Sequence, residues 1–276
     1  MEKTSKYATT NDIIFKYQFS NKCILKAFLE DFLDISIKTL EVKEQFNVHA
    51  KNFFEKACYL DIKAVVNKKK VVNLEMQNEG NGEYVQRIII YHSALSREQV
   101  SKGDDYSKLK SIISINILNY ILFDDINKYH TIWKYREDEH LNHLPLNGDE
   151  IHFIELPKFR KTIPNFENKC EQWFAYIDDS NPSWVKEVMS RNKTIVTAKK
   201  LKDDFVSDKS NQALIDAYEI WCMDQNTRIK HAKEDGIFEG KTEKALEIAK
   251  NMIRENINID VIVKTTGLSK NDILKI

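Results

Sequence analysis

Seven glycines and four prolines in 276 residues are too few for a collagen-like, linker-rich or propeller-like chain. The four cysteines (Cys23, Cys58, Cys170, Cys222) include no close pair. This argues against a disulfide framework or a zinc site and predicts reduced, mostly buried thiols. His140 and His143 form a lone HxxH without acidic or thiol partners at ligand spacing, so they read as loop histidines. Long hydrophobic runs are also missing. The longest apolar stretch, 112–123, is broken by Ser114, Asn116 and Asn119, and a membrane helix needs about 20 apolar residues. Residues 1–11 are polar and lack the apolar segment of a signal peptide. The expectation is a cytoplasmic protein with no membrane partner. Net charge is absent too, with 42 Lys+Arg against 42 Asp+Glu, which counts against nucleic acid unless the charges are segregated.

They are segregated along the chain. Residues 186–202 carry Lys186, Arg191, Lys193, Lys199, Lys200 and Lys202 against the single acid Glu187, whereas 124–155 are rich in acids. With Lys68, Lys69 and Lys70, placed beside the site proposed below, the basic segment could track a phosphate backbone; the alternative is a solvated helix face. A hydrophobic content of 42%, with 11% aromatic residues, is enough for a sizeable core. The length suits one large domain or one domain with an appendage.

Residues 1–34 read as helical, because Ile24, Leu25, Phe28, Leu29, Phe32 and Leu33 share one helix face. Strand signals follow at 39–48, 57–66, 71–77, 111–118, 130–136 and 150–156, with a helix at about 83–99. Residues 165–226 have helical spacing, with Trp173, Phe174, Trp184 and Trp221 as core or groove residues. A charged helix containing Gly236 and Gly240 begins near Arg228. The division is therefore a core over 1–160, a helical completion or DNA-facing subregion over 161–227, and a C-terminal helical module over 228–276.

The stretch 58–77, CYLDIKAVVNKKKVVNLEMQ, is the most informative. Side chains alternate across a strand, so Ile62, Ala64 and Val66 share a face with Val72, Leu74 and Met76, while Asp61, Lys63, Asn73, Glu75 and Gln77 take the other. Matching the faces requires paired residue numbers that sum to 136 and a three-residue turn near Asn67–Lys69. Asp61 and Glu75 then become cross-strand neighbours. Facing carboxylates repel unless a cation lies between them, and magnesium suits such a site. The alternative is a pair of solvated acids on an exposed sheet face.

This D-x13-E-x-Q pattern, read as LDIKA then NLEMQ, resembles the active site of the PD-(D/E)XK nuclease superfamily. It is most similar to the Rpn group, the recombination-promoting nucleases also described as PD-(D/E)XK family transposases. NDIIFKYQFS at 11–20, EYVQRIIIYHSAL at 83–95, GDDYSKLKSIISINIL at 103–118, IHFIELPKF at 151–159 and TTGLSKNDI at 265–273 match in the same order. The resemblance implies an α/β fold: a restriction-endonuclease-like core with a mixed central sheet flanked by helices, plus a C-terminal helical extension. It implies metal-dependent hydrolysis of DNA phosphodiesters, usually with magnesium and possible with manganese, in recombination, mobile-element or phage-defence processes. Asp61, Glu75 and Gln77 match the catalytic positions. Asp61 and Glu75 would bind metal, with the main-chain carbonyl of Met76 as a further ligand. Gln77 stands where most of the superfamily has lysine, and a neutral amide can only orient water.

In the 83–99 helix, Tyr84, Arg87, Ile88, Tyr91 and Leu95 share a face. Arg87 is a candidate phosphate contact with Tyr84 nearby, or else an ion-pair partner. Lys16, Arg191, Lys193, Lys199 and Lys200 are further candidate DNA contacts, whereas Glu155 reads as structural. The TGLS segment at 266–269 resembles a helix-turn-helix turn, but only four residues follow Asp272. A pairing or homodimerisation module is therefore the favoured reading of the tail over an independent DNA reader. The competing functions are a catalytically inactive DNA-binding or assembly protein and an unrelated small-molecule phosphohydrolase. No P-loop, GxGxxG loop or GxSxG elbow is present.

Overall fold

The alternating runs within 62–77 fold as the hairpin their parity requires. In the computed structural model, which describes residues 7–43, 62–80, 82–140 and 148–276, β2 (Ile62–Val66) pairs antiparallel with β3 (Lys70–Gln77). Ile62 faces Leu74, Lys63 faces Asn73 and Ala64 faces Val72, so the paired numbers sum to 136 as expected. Asp61 and Cys58 lie outside the described residues. The turn is Asn67, Lys68 and Lys69, with Asn67 at φ 50° and Lys68 at φ 59°. Asparagine tolerates this left-handed conformation better than most residues. Asn67 also ties the turn down: Oδ1 accepts from the Lys38 and Thr39 amides (2.7 and 3.1 Å), and Nδ2 donates to the Ser36 carbonyl (2.9 Å). Asn67→Ala loses all three bonds, and an expected 1–2 kcal/mol, roughly, of unfolding free energy, measurable by urea denaturation.

The other strands are β1 (Leu40–Val42), β4 (Ser111–Leu118), β5 (His130–Trp133) and β6 (Glu150–Glu155), giving one mixed sheet of order β1-β2-β3-β4-β6-β5. β3, β4 and β6 run parallel; β1, β2 and β5 are antiparallel to their neighbours. All six strand signals yield strands. β4, SIISINIL, is buried along its whole length, as befits a central strand covered on both faces.

One face of the sheet packs on α1 (Asp12–Phe19), α2 (Lys22–Leu33), the short α4 (Leu156–Phe159), α5 (Lys169–Asp178), α6 (Pro182–Arg191) and α7 (Lys193–Ser207). Phe19, Phe28, Trp173 and Phe174 fill this core, with Trp184 packed against it. The opposite face carries α3 (Tyr84–Arg97). Tyr84 and Ile88 rest there on Leu118 and Phe153, and Leu95 rests on Val71 and Ile112. With glycine and proline scarce, asparagine sets the helix starts: Asn11, Asn21, Asn168, Asn181, Asn192 and Asn258 each accept from first-turn amides.

Beneath β5 and β6, His130 Nε2 lies 3.0 Å from His152 Nδ1, and His152 Nε2 lies 2.9 Å from Glu150 Oε2. Burial, with His152 beside it, pushes the His130 imidazole down to about 4. The unfolded chain takes up that proton near pH 6.5, roughly, and the fold does not until about 4. The stabilisation is therefore complete above the unfolded pKa and lost as pH falls through this window. On the order of 2–3 kcal/mol should disappear across it, and His130→Phe, packed near Phe32 and Phe174, should flatten that part of the stability profile.

The chain divides into two units, Met1–Gln212 and Ala213–Ile276. The charged helix expected from Arg228 is part of the longer α8 (Lys209–Arg254). Gly236 and Gly240 do not interrupt it, and open space surrounds the position a β-carbon would take at either. Trp221 stacks on Tyr218 at 6.1 Å within this helix. In the second unit, α9 (Ile259–Thr266) and α10 (Lys270–Ile273) close a small core of Ala249, Ile262 and Ile273. Gly267, at φ 73°, supplies the left-handed turn between them.

Candidate active site

Asn73, Glu75 and Gln77 share a face of β3, the face covered by α3. Glu75 is only 4% exposed and Asn73 only 2%. For Glu75 this excludes the solvated-acid alternative. The buried carboxylate is held at both oxygens: Asn73 Nδ2 donates to Oε1 at 3.0 Å, and the Tyr84 hydroxyl lies 3.2 Å from Oε2. That hydroxyl also lies 3.1 Å from Asn116 Oδ1, whose amide is oriented by Nδ2 donating to the His152 carbonyl (3.0 Å). One phenolic proton therefore faces two acceptors. Burial first, then the Glu75 charge, pushes the Tyr84 phenol well above its ordinary range, so it stays a donor.

Asn73 Oδ1 is buried with no hydrogen-bond partner among the described residues. Beside the Glu75 carboxylate and Asn116 Oδ1, Asn73 thus adds an acceptor that no donor meets. An oxygen-only donor set of this kind fits a hard divalent cation, and Glu75 and Asn73 are the described side chains that could hold one. Among the described residues no group of three or more His, Cys, Asp or Glu forms a metal cluster. Gln77 is oriented by Arg87, whose Nη2 donates to Gln77 Oε1 at 2.8 Å. Arg87 in turn sits over the Tyr84 ring, its Cζ 4.8 Å from the centroid.

Further along α3, His92 Nδ1 is 3.0 Å from Ser114 Oγ and Nε2 is 3.4 Å from Asp149 Oδ2, while Asp149 Oδ1 accepts from the Ile112 amide (2.8 Å). The serine is buried within a strand, so this contact pins α3 to β4 and thereby steadies Tyr84 and Arg87.

Residues 9–232 match the family model described as PD-(D/E)XK nuclease family transposase. The chain belongs to that family. Residues 242–276 match the C-terminal HTH domain of the Rpn/YhgA-like nuclease family. No curated protein and no solved structure gives a match. The Rpn-type PD-(D/E)XK fold is thus present as expected, with its mixed sheet flanked by helices and its C-terminal helical region. The helix-turn-helix reading of the tail, set behind a pairing module because only four residues follow Asp272, is the one this match carries.

The remaining sequence candidates of this transposase-family nuclease are dispersed. Met76 turns its side chain to the opposite face, in the main core, which does not bear on the main-chain carbonyl expected as a ligand. Lys16 is buried in α1. Arg191 pairs with Glu187 at 2.6 Å and with Glu167, and Lys199 lies 2.6 Å from Asp203 Oδ2; Lys193 and Lys200 are exposed. The basic segment is accordingly weaker than its composition. Lys202 is buried and bonded to Asp179 (2.5 Å) and Thr9 (3.0 Å), because its helix faces the core at that position. Lys70 lies five residues along β3 from Glu75, about 17 Å in an extended strand, so the lysine turn is not beside the site. The thiols differ too: Cys23 is exposed, and Cys170 and Cys222 are half-buried, since they fall on helix flanks. His140 is exposed against Glu137, and His143 lies outside the described residues. Sequence reasoning missed Asn73, Asn116, Tyr120 and His92. The signal lay in polar groups within apolar runs: from the sequence Asn116 reads only as a break in the stretch 112–123, and Asn73 only as part of the polar face of its strand.

Proposed function

We propose that this chain is a magnesium-dependent DNA endonuclease, with manganese able to replace magnesium. The observation that carries this reading is the buried Glu75 carboxylate beside the unmet Asn73 Oδ1, in a chain of the PD-(D/E)XK nuclease family. Asp61, Glu75 and the Met76 main-chain carbonyl would hold the cation, which when bound acidifies water and neutralises phosphate charge. Asn73 and Tyr84 orient the Glu75 carboxylate. Gln77, its oxygen engaged by Arg87, has its amide N–H groups left to hold the attacking water by hydrogen bonds. Arg87 supplies at this end the positive charge that Gln77 lacks, and contacts the phosphate.

Lys193 and Lys200, both exposed, with Arg191 and Lys199 nearby, are proposed to add backbone contacts to DNA, alongside the helix-turn-helix domain; the buried Lys16 is not among them. A homodimer would form through the C-terminal helical region. The setting we propose is the cytoplasm, in recombination, mobile-element or phage-defence processes. Among the described residues no helix is long and apolar enough to cross a membrane. The test is nicking of supercoiled plasmid in magnesium, expected for the wild-type chain and absent with chelator. DNA binding without cleavage in magnesium or manganese would leave the inactive DNA-binding reading.

A further inference from the structure

Two buried donors belong to side chains that pack on Tyr84. Arg87 Nε and the Tyr120 hydroxyl are both buried, and neither finds a hydrogen-bond partner among the described residues. Native folds rarely leave such groups unmet, and those that persist call for an explanation. Both side chains lie against the same ring. Arg87 covers the face of Tyr84, and Tyr120 meets it edge-on, with centroids 6.2 Å apart and planes at 83°. Burial pushes the Tyr120 phenol up to about 12 against the charge of Arg87, with Glu155 and Glu75 adding to the rise, so the hydroxyl keeps its proton.

The Tyr120 ring is held in place from behind. A β-carbon at Gly80 would fall 2.7 Å from its Cδ2 and Cε2, so only glycine lets the chain after β3 pass so close. Asn119, the preceding residue, fixes the backbone, its amide donating to the Gln77 carbonyl at 2.8 Å. Around Tyr84 the unmet atoms are one acceptor, Asn73 Oδ1, which adjoins Glu75, and two donors, Arg87 Nε and the Tyr120 hydroxyl, on side chains that pack against the Tyr84 ring.

We propose that Arg87 Nε and the Tyr120 hydroxyl together hold a non-bridging oxygen of the DNA phosphate, which makes Tyr120 a substrate-binding residue of this site. A phosphate oxygen accepts hydrogen bonds and donates none, and it carries the negative charge that a guanidinium and a neutral phenol jointly satisfy. The assignment rests on the nuclease reading and adds to it a residue outside the D…ExQ motif.

Tyr120→Phe in the full chain tests it, because the substitution keeps the ring and removes only the unmet hydroxyl. The dissociation constant for a short DNA duplex, measured by fluorescence anisotropy in chelator, should rise about tenfold, the value of one charge-assisted hydrogen bond. The KM in magnesium should rise with it, and the melting temperature should stay level or increase. Equal affinity and equal KM overturn the proposal. So does a melting temperature lowered by several degrees, which would mean that the hydroxyl already has a partner inside the protein. The two readings fail separately. A wild type that cuts nothing in magnesium or manganese defeats the nuclease assignment, while the metal-free comparison still judges the phosphate contact.

Discussion

Replacing Glu75 by alanine should lower plasmid cleavage in magnesium by roughly a thousandfold or more, and Asp61→Ala should do the same. A carboxylate of this kind contributes by fixing a cation, and without the cation the bound water returns towards the pKa of bulk water. Glu75→Gln is the sharper variant. It preserves the shape between Asn73 and Tyr84 but removes the charge, so a loss equal to that of alanine would assign the effect to charge rather than packing. Circular dichroism and melting temperature serve as the controls for folding. Cleavage that persists equally in all three variants would point to a contaminating nuclease and sink the assignment.

The largest stability effect should come from Glu155→Ala, with a loss of about 3–5 kcal/mol in urea denaturation. Glu155 is fully buried, and its Oε1 accepts from the Leu122 and Phe123 amides at 2.6 and 3.1 Å. Its Oε2 lies 2.6 Å from Lys158 Nζ, itself buried and donating to the Phe123 and Ile126 carbonyls at 2.6 Å each. Deleting the acid strands a buried ammonium and two amides together. The ammonium dominates, because an unpaired internal charge costs more than a lost neutral hydrogen bond. Glu155→Ala combined with Lys158→Met should recover a substantial part of the loss. If the single variant unfolds within about 1 kcal/mol of wild type, the network has been over-valued.

The hairpin was legible because strand parity is a strict constraint. Shifting the register by one residue would have turned Met76 onto the polar face, and the pairing of Ile62 with Leu74 follows from that alone. The face of α3 was equally legible, since Tyr84, Ile88 and Leu95 fall at helical spacing. What stands opposite that face was not. Periodicity reports which side a residue takes, and says nothing about which of two layers covers it. Whether the polar face of β3 was solvated therefore stayed open, and it proved to be covered by α3, with Glu75 buried there. The basic segment at 186–202 failed for a related reason. Composition counts charges, but Lys202, Lys199 and Arg191 meet Asp179, Asp203 and Glu187 through the folding of separate helices and the i,i+4 geometry within one.

By itself the sequence determined the strand pairing, the helix faces, the D…ExQ pattern and the family to which it belongs. The pairing and the faces follow from local periodicity, whereas the family rests on the resemblance of its motifs and on the matching family model. Only the tertiary structure decided that Glu75 is buried, that Asn73, Tyr84 and Asn116 converge on it, and that Arg87 and Tyr120 are left with donors unmet. Those relations join β3, β4 and α3 across gaps of up to several dozen residues. They arise because close packing of a helix on a sheet fixes side chains that no local pattern connects.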